Sequence, residues 1–133
     1  MSEEIKNEQE EAKKPYTLRD LNDEDIYTVL EILGKALPED AKESFAQAVS
    51  GEDGKKKSLE KIGGMIGFDI FRFIMKNMKA VKDEVYAFLS DLSDIPAEEI
   101  KKMPFGTTPR MLKEVITNAR NADFFKELFK SFS

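Results

Sequence analysis

Lys57–Met78 reads KSLEKIGGMIGFDIFRFIMKNM, with three glycines within five residues followed by a nearly unbroken run of Ile, Phe and Met. A phosphate-cradling loop, a membrane segment and a closely approached helix are the three readings in play. Neither a GxxxxGK[ST] nor a GxGxxG spacing is present and no strand-like run precedes the glycines, which removes the phosphate loop. Asp69 and Arg72 interrupt the apolar run, and its uncharged part is too short for a bilayer. On a helical wheel Ser58, Lys61, Asp69, Arg72, Lys76 and Lys79 share one narrow stripe, with Met65 the only apolar residue among them. Ile, Phe, Met and Gly occupy the rest of the circumference, a pattern that belongs to a buried helix. Gly63, Gly64 and Gly67 lie opposite the polar stripe, beside Phe71 and Ile74. Each glycine costs about 1 kcal/mol relative to Ala in a helix, so a ring or a backbone packed against them is expected, and Gly63-x-x-x-Gly67 has the spacing for it. The stretch therefore predicts the central, almost enveloped helix of an all-α domain. The flank Phe68, Met75, Met78 stays open between core packing and a groove or protomer interface, since flexible methionines adapt to partners.

Outward from that helix, the chain punctuates itself as further helices. Asn22 can cap a helix with Asp23, Glu24 and Asp25 in its first turn, and Ile26, Val29, Leu30, Leu33 and Leu37 follow at helical spacing. Pro38 suits the first turn of PEDAKESFAQAVSG, with Phe45 and Val49 inward and Gly51 as a stop. GEDGKKKS (51–58) is a solvated loop: its acids lack the alternating ligand spacing of a calcium loop. Val81, Val85, Phe88, Leu89 and Leu92 make one helical face, and Ile100 and Met103 are inward candidates on a short helix after Pro96. Thr108 and Pro109 look like a cap and a first-turn proline, opening a helix with Met111, Leu112, Val115 and Ile116 as its apolar face. Asn121 can cap a last helix in which Phe124, Phe125, Leu128, Phe129 and Phe132 recur, either closing the core or forming an exposed patch that marks an interaction site. No alternating run joined by a hairpin turn appears. The expected architecture is all-α, a compact bundle of about five to six helices around the Gly/Phe/Met-rich one. Residues 1–15 form an acidic, disordered tail and residues 16–133 a single domain.

Composition narrows the function. The 133 residues contain neither Cys nor His, which removes disulfides, thiolate nucleophiles, Ser–His and Cys–His pairs and the commonest metal ligands. No catalytic, cofactor or metal site emerges, and an enzyme would need a buried, pKa-shifted Asp, Glu or Lys facing a pocket. A net charge of −5 argues against nucleic acid as a partner. The acid-rich start MSEEIKNEQEEAKK has no apolar core segment and is not a secretory signal, so a cytoplasmic protein without membrane partner is expected. Adjacent carboxylates such as Glu98-Glu99 diverge on a helix and read as surface charge. Asp69 with Arg72 reads as a helix-surface ion pair, or else as an intersubunit bridge fixing register. On these grounds the chain is a protein-binding or self-assembling module.

Three stretches go further: TLRDLNDEDIYTVLEILGK (17–35), IGGMIGFDIFRFIMKN (62–77) and TPRMLKEVITNARNADFFKELFKSF (108–132). Together they resemble tail assembly chaperones of long-tailed bacteriophages (siphophages) of Gram-positive hosts, over about Tyr16–Ser133. The element Asn121-x-Asp123-Phe124-Phe125-Lys126-Glu127-Leu128 is the most characteristic piece. The resemblance implies a non-catalytic protein of the host cytoplasm that binds the tape-measure protein and keeps it soluble. It implies displacement as tail-tube subunits polymerise, absence from the mature virion, and self-association into a homo-oligomer. An amphipathic client helix needs an apolar groove, and Phe68, Phe71 and Met75 with Phe124, Phe125 and Phe129 are the residues expected to supply it. Arg19, Arg72 and Arg110 are candidate rim contacts. Replacing Phe125 and Phe129 by Asp is expected to abolish capture of a tape-measure fragment. The alternative is a small regulatory adaptor that binds one host or phage protein.

Overall fold

Asn22 starts the first helix as its chemistry demands. In the computed structural model, which describes residues 15–50 and 62–131, the Asn22 side chain accepts from the Glu24 N–H at 3.0 Å. The Asp25 carboxylate accepts from the Asn22 N–H at 2.7 Å, completing a capping box. A 3₁₀ turn over Asp23–Asp25 leads into α1 (Ile26–Ala36). Val29, Ile32, Leu33, Ala36 and the following Leu37 are buried, whereas Ile26 and Leu30 are half-buried. The inward stripe is thus rotated slightly from the expected one. α2 (Glu39–Ser50) follows Pro38, with Phe45 and Ala46 in the core. The expected tail up to Lys14, the loop at 51–58, the Ser58 cap and Phe132 lie outside the described residues, as does the inward placement of Val49.

A wide, π-type turn over Ile62–Ile66 opens α3 (Gly67–Lys76), and Asn77 breaks it from α4 (Met78–Ser93). The Asn77 amide donates to the Ala36 carbonyl at 3.1 Å and to that of Phe73 at 2.9 Å, tying the end of α1 to this corner. α3 is not enveloped. It buries Gly67, Ile70 and Ile74 and leaves Phe71, Phe73 and Met75 half-buried and Phe68 exposed. Close packing against the glycines also fails at Gly64, which is exposed and has no heavy atom within 4 Å of where a Cβ would stand. The most deeply set helix is α4, with Val81, Val85, Phe88, Leu89 and Leu92 all in the core.

Asp94 ends α4 in the left-handed region at φ 62°, its N–H donating to Ser90 O at 2.8 Å. α5 (Ala97–Ile100) is a single turn anchored by Ile100, and α6 (Thr107–Thr117) begins two residues earlier than a Thr108 cap predicts. Gly106 takes the cap at φ 90°, a conformation glycine adopts without steric cost, and the Thr107 hydroxyl donates to Pro104 O at 2.7 Å. Pro109 sits within the first turn, where its missing N–H has no partner to lose. Met111, Leu112, Val115 and Ile116 point inward as predicted. α7 (Ala122–Lys130) closes the bundle. The main pairings set α1 on α4, α3 on α6 and α2 on α7. Between them the core is filled: the void near Leu33, Ile70, Ile116 and Phe125 measures about 10 Å³, at the lower limit for one water. Among the described residues there are seven α-helices, six of them longer than one turn, and no strand. No helix among them is long and apolar enough to cross a membrane.

The segment before α1 is strapped across the bundle by polar contacts. Arg19 N–H donates to Leu92 O at 3.0 Å, and the Arg19 guanidinium grips both Asp25 oxygens at 2.8 and 3.0 Å and also reaches Asp91. Asp20 pairs with Arg120 Nε at 3.1 Å. Leu21 N–H donates at 3.0 Å to the buried Asn121 side chain, which donates in turn to Val115 O at 2.9 Å. Tyr16 is buried beneath this strap, its hydroxyl pushed up to about 12 by burial and by the charge and hydrogen bond of Glu114, with Arg110 opposing. Arg19 is therefore a structural clamp, and Arg110 works beside Tyr16.

Asp25 makes the strap acid-sensitive. Burial raises its carboxyl, but the Arg19 hydrogen bonds, the Asn22 N–H and the Arg19 charge outweigh burial and hold it below the ordinary 3.8. A depressed folded value means that the stabilisation is complete above 3.8 and is lost as pH falls through the folded value. Asp25→Asn is expected to cost about 1–2 kcal/mol at neutral pH, the charge-assisted bonds being discounted for partial exposure of Arg19. In denaturant titrations the gap between wild type and variant should close below pH 3.8. A gap that stayed constant through that acid range would contradict the assignment.

Candidate functional site: the outward face of α3

α3 carries Asp69, Arg72 and Lys76 between apolar flanks, and the described elements bury only the side of Gly67, Ile70 and Ile74. On the other side Phe68 remains 48% exposed, with the Arg72 guanidinium 5.8 Å from its ring centre. Arg72 also bonds Asp69 at 2.9 Å within the same helix, so this pair is satisfied without a second subunit. Alongside runs a groove of about 460 Å³ whose described walls are Phe71, Arg72, Phe73, Met75 and Lys76. Its backing is rigid. Phe73 meets Phe45 edge-on at 6.5 Å, and Phe45 meets Phe129 edge-on at 5.4 Å. The wall is thereby braced into the core by a chain of perpendicular rings.

Of the six residues expected to form a client surface, Phe71 and Met75 line this groove, and Phe68 stands beside them on the same side of α3, outside the groove's described lining. Phe125 and Phe129 do neither. They are 2% and 0% exposed: Phe125 faces the central void beside Ile70 and Ile116, and Phe129 lies against Phe45 in the seam where α7 packs on α2, so in the folded chain they cannot reach a partner. Phe124, half-buried and edge-on to Phe125 at 5.4 Å, is outside the described groove lining. One helix position is 100° of rotation, enough to put neighbouring phenylalanines on different faces. Asp substitution of Phe125 and Phe129 would then act by unfolding the protein, and cannot report on docking.

Phe105 was not anticipated as a surface residue. It stands fully exposed at the tip of the turn before α6, beside a second hollow of about 470 Å³ that includes Tyr86, Lys101, Met103 and Pro109. The Lys101 ammonium lies 5.5 Å from the Tyr86 ring centre. A phenylalanine between Pro104 and Gly106 has no helical period to bury it, and that was the available signal.

The perturbed ionisable groups lie elsewhere. Tyr16, Arg19 and Asp25 belong to the strap. Lys35 and Glu84 join α1 to α4 at 2.7 Å, their mutual hydrogen bond raising the lysine and lowering the glutamate. None of these five lines either hollow. Among the described residues no group of three or more acidic side chains could hold a metal ion. The α3 face offers rings, a thioether and two cations, a chemistry suited to gripping a polypeptide. No family model, no curated protein and no solved structure matches the chain.

Proposed function

We propose that this protein is a non-catalytic chaperone that holds an amphipathic helix of its client against the outward face of α3. The observation carrying the reading is that face itself: Phe68 exposed, Phe71, Phe73 and Met75 half-covered, all on a helix whose other side is locked into the core. An apolar groove with adaptable and aromatic walls is the standard receptor for a helix presenting residues at i, i+3, i+4 and i+7. Following the resemblance of the three stretches, the client is the tape-measure protein of a siphophage tail. It is held soluble in the host cytoplasm until tail-tube subunits take over, by a chaperone that self-associates and leaves before the virion is complete.

Co-expression with the tape-measure chain, followed by affinity capture, tests this. Phe68→Asp is expected to reduce capture at least about tenfold, the effect of removing one exposed aromatic anchor from the docking face, while thermal melting stays unchanged because the ring is half out of the core. Undiminished capture by a folded Phe68→Asp variant rejects the α3 face. A soluble tape-measure fragment that ignores the wild-type protein rejects the client's identity.

A further inference from the structure

We infer that the α3 groove selects a client helix carrying carboxylates beside its apolar stripe, and discriminates against one flanked by lysines. The inference rests on the docking reading above and adds the charge that the partner must bring. The whole chain carries −5, yet the described walls of the groove hold two cations, Arg72 and Lys76, and no carboxylate. Both are exposed. They stand four residues apart, so they are neighbours along one edge of α3. Asp69 occupies Arg72 through one 2.9 Å bond, and a guanidinium has five N–H donors in all, leaving capacity for a second carboxylate.

A helix whose apolar residues settle along Phe68, Phe71 and Met75, which share one side of α3, brings one of its flanks over Arg72 and Lys76. Carboxylates there meet cations; ammonium groups meet like charge. A single exposed pair is weak, but exchanging two attractive contacts for two repulsive ones amounts to about tenfold in affinity at low salt. The other occupant is a second copy of this chain, whose exposed Tyr27 ring on α1 stands between Glu24 and Glu31 and meets the same charge rule, whereas its Phe105, preceded by Lys101 and Lys102, does not. Self-association of the chain alone that the double substitution Arg72→Glu, Lys76→Glu abolishes would give the groove to that copy and overturn the client.

The test uses the full chain and two synthetic amphipathic helices with one shared Leu/Ile stripe, flanked in one peptide by Glu and in the other by Lys. Binding is followed by fluorescence anisotropy at low and high salt. The Glu-flanked peptide is expected to bind about tenfold tighter at low salt, with the difference shrinking at high salt as screening predicts. The double variant Arg72→Glu, Lys76→Glu, with thermal melting as a folding control, should reverse the preference. Equal affinities, or a preference that survives the charge reversal, overturn the charge rule and leave the docking reading standing. Failure of both peptides to bind overturns the docking reading and this inference with it.

Discussion

Phe129→Ala should cost about 3–5 kcal/mol of folding free energy, the range for truncating a fully buried aromatic ring. Phe129 is 0% exposed and meets Phe45 edge-on at 5.4 Å across the seam between α7 and α2. Ring removal forfeits the buried area, the edge-on contact and the packing around the void left behind. A domain of this size holds only about 5–15 kcal/mol in total, so a large share of the protein should be unfolded under mild denaturant. Urea titration at constant slope measures the loss directly. A cost below about 1 kcal/mol would show that α7 does not pack at home, and would return Phe125 and Phe129 to the client surface from which their burial removes them.

Asn121→Ala is expected to cost about 2–3 kcal/mol, because it strands two backbone groups rather than one. The Asn121 amide donates to Val115 O at 2.9 Å, and its oxygen accepts from Leu21 N–H at 3.0 Å. Val115 lies in the last turn of α6, where carbonyls have no helical partner. One buried side chain thus finishes α6 and latches the strap that precedes α1. The same substitution should speed hydrogen exchange at the Leu21 amide, a change that a loss of packing alone in α7 would not single out. An unchanged Leu21 exchange rate together with a cost under about 1 kcal/mol would sink the latch.

Where an apolar stripe is narrow, periodicity alone placed the core. Val81, Val85, Phe88, Leu89 and Leu92 on α4, and Met111, Leu112, Val115 and Ile116 on α6, are buried as their spacing predicts. α3 defeats that logic. Its polar stripe of Asp69, Arg72 and Lys76 marks the outward side and Gly67, Ile70 and Ile74 opposite it are buried, but the apolar flanks Phe68, Phe71, Phe73 and Met75 are covered only as far as the neighbours α6 and α1 reach. Phe124 and Phe125 pose the same problem in miniature. Asn121 was legible as polar punctuation before α7, yet its side chain makes no cap bond there and instead reaches a residue 100 positions away. Arg19 likewise reads as a free surface cation until Asp25 and Asp91 are brought to it by the fold. Long-range polar pairings of this kind have no local sequence signature.

The strap has a consequence for how the protein is made. Leu21 waits for Asn121, Asp20 for Arg120, and Phe45 for Phe129. A ribosome adds about 5–20 residues per second, so for several seconds the nascent chain holds its first two helices without the acceptors that fasten them. α7 supplies the last of these partners, and a product terminated before Asn121 keeps the Arg19 anchorage on α4 but lacks the latch at Leu21 and the ring that seats Phe45.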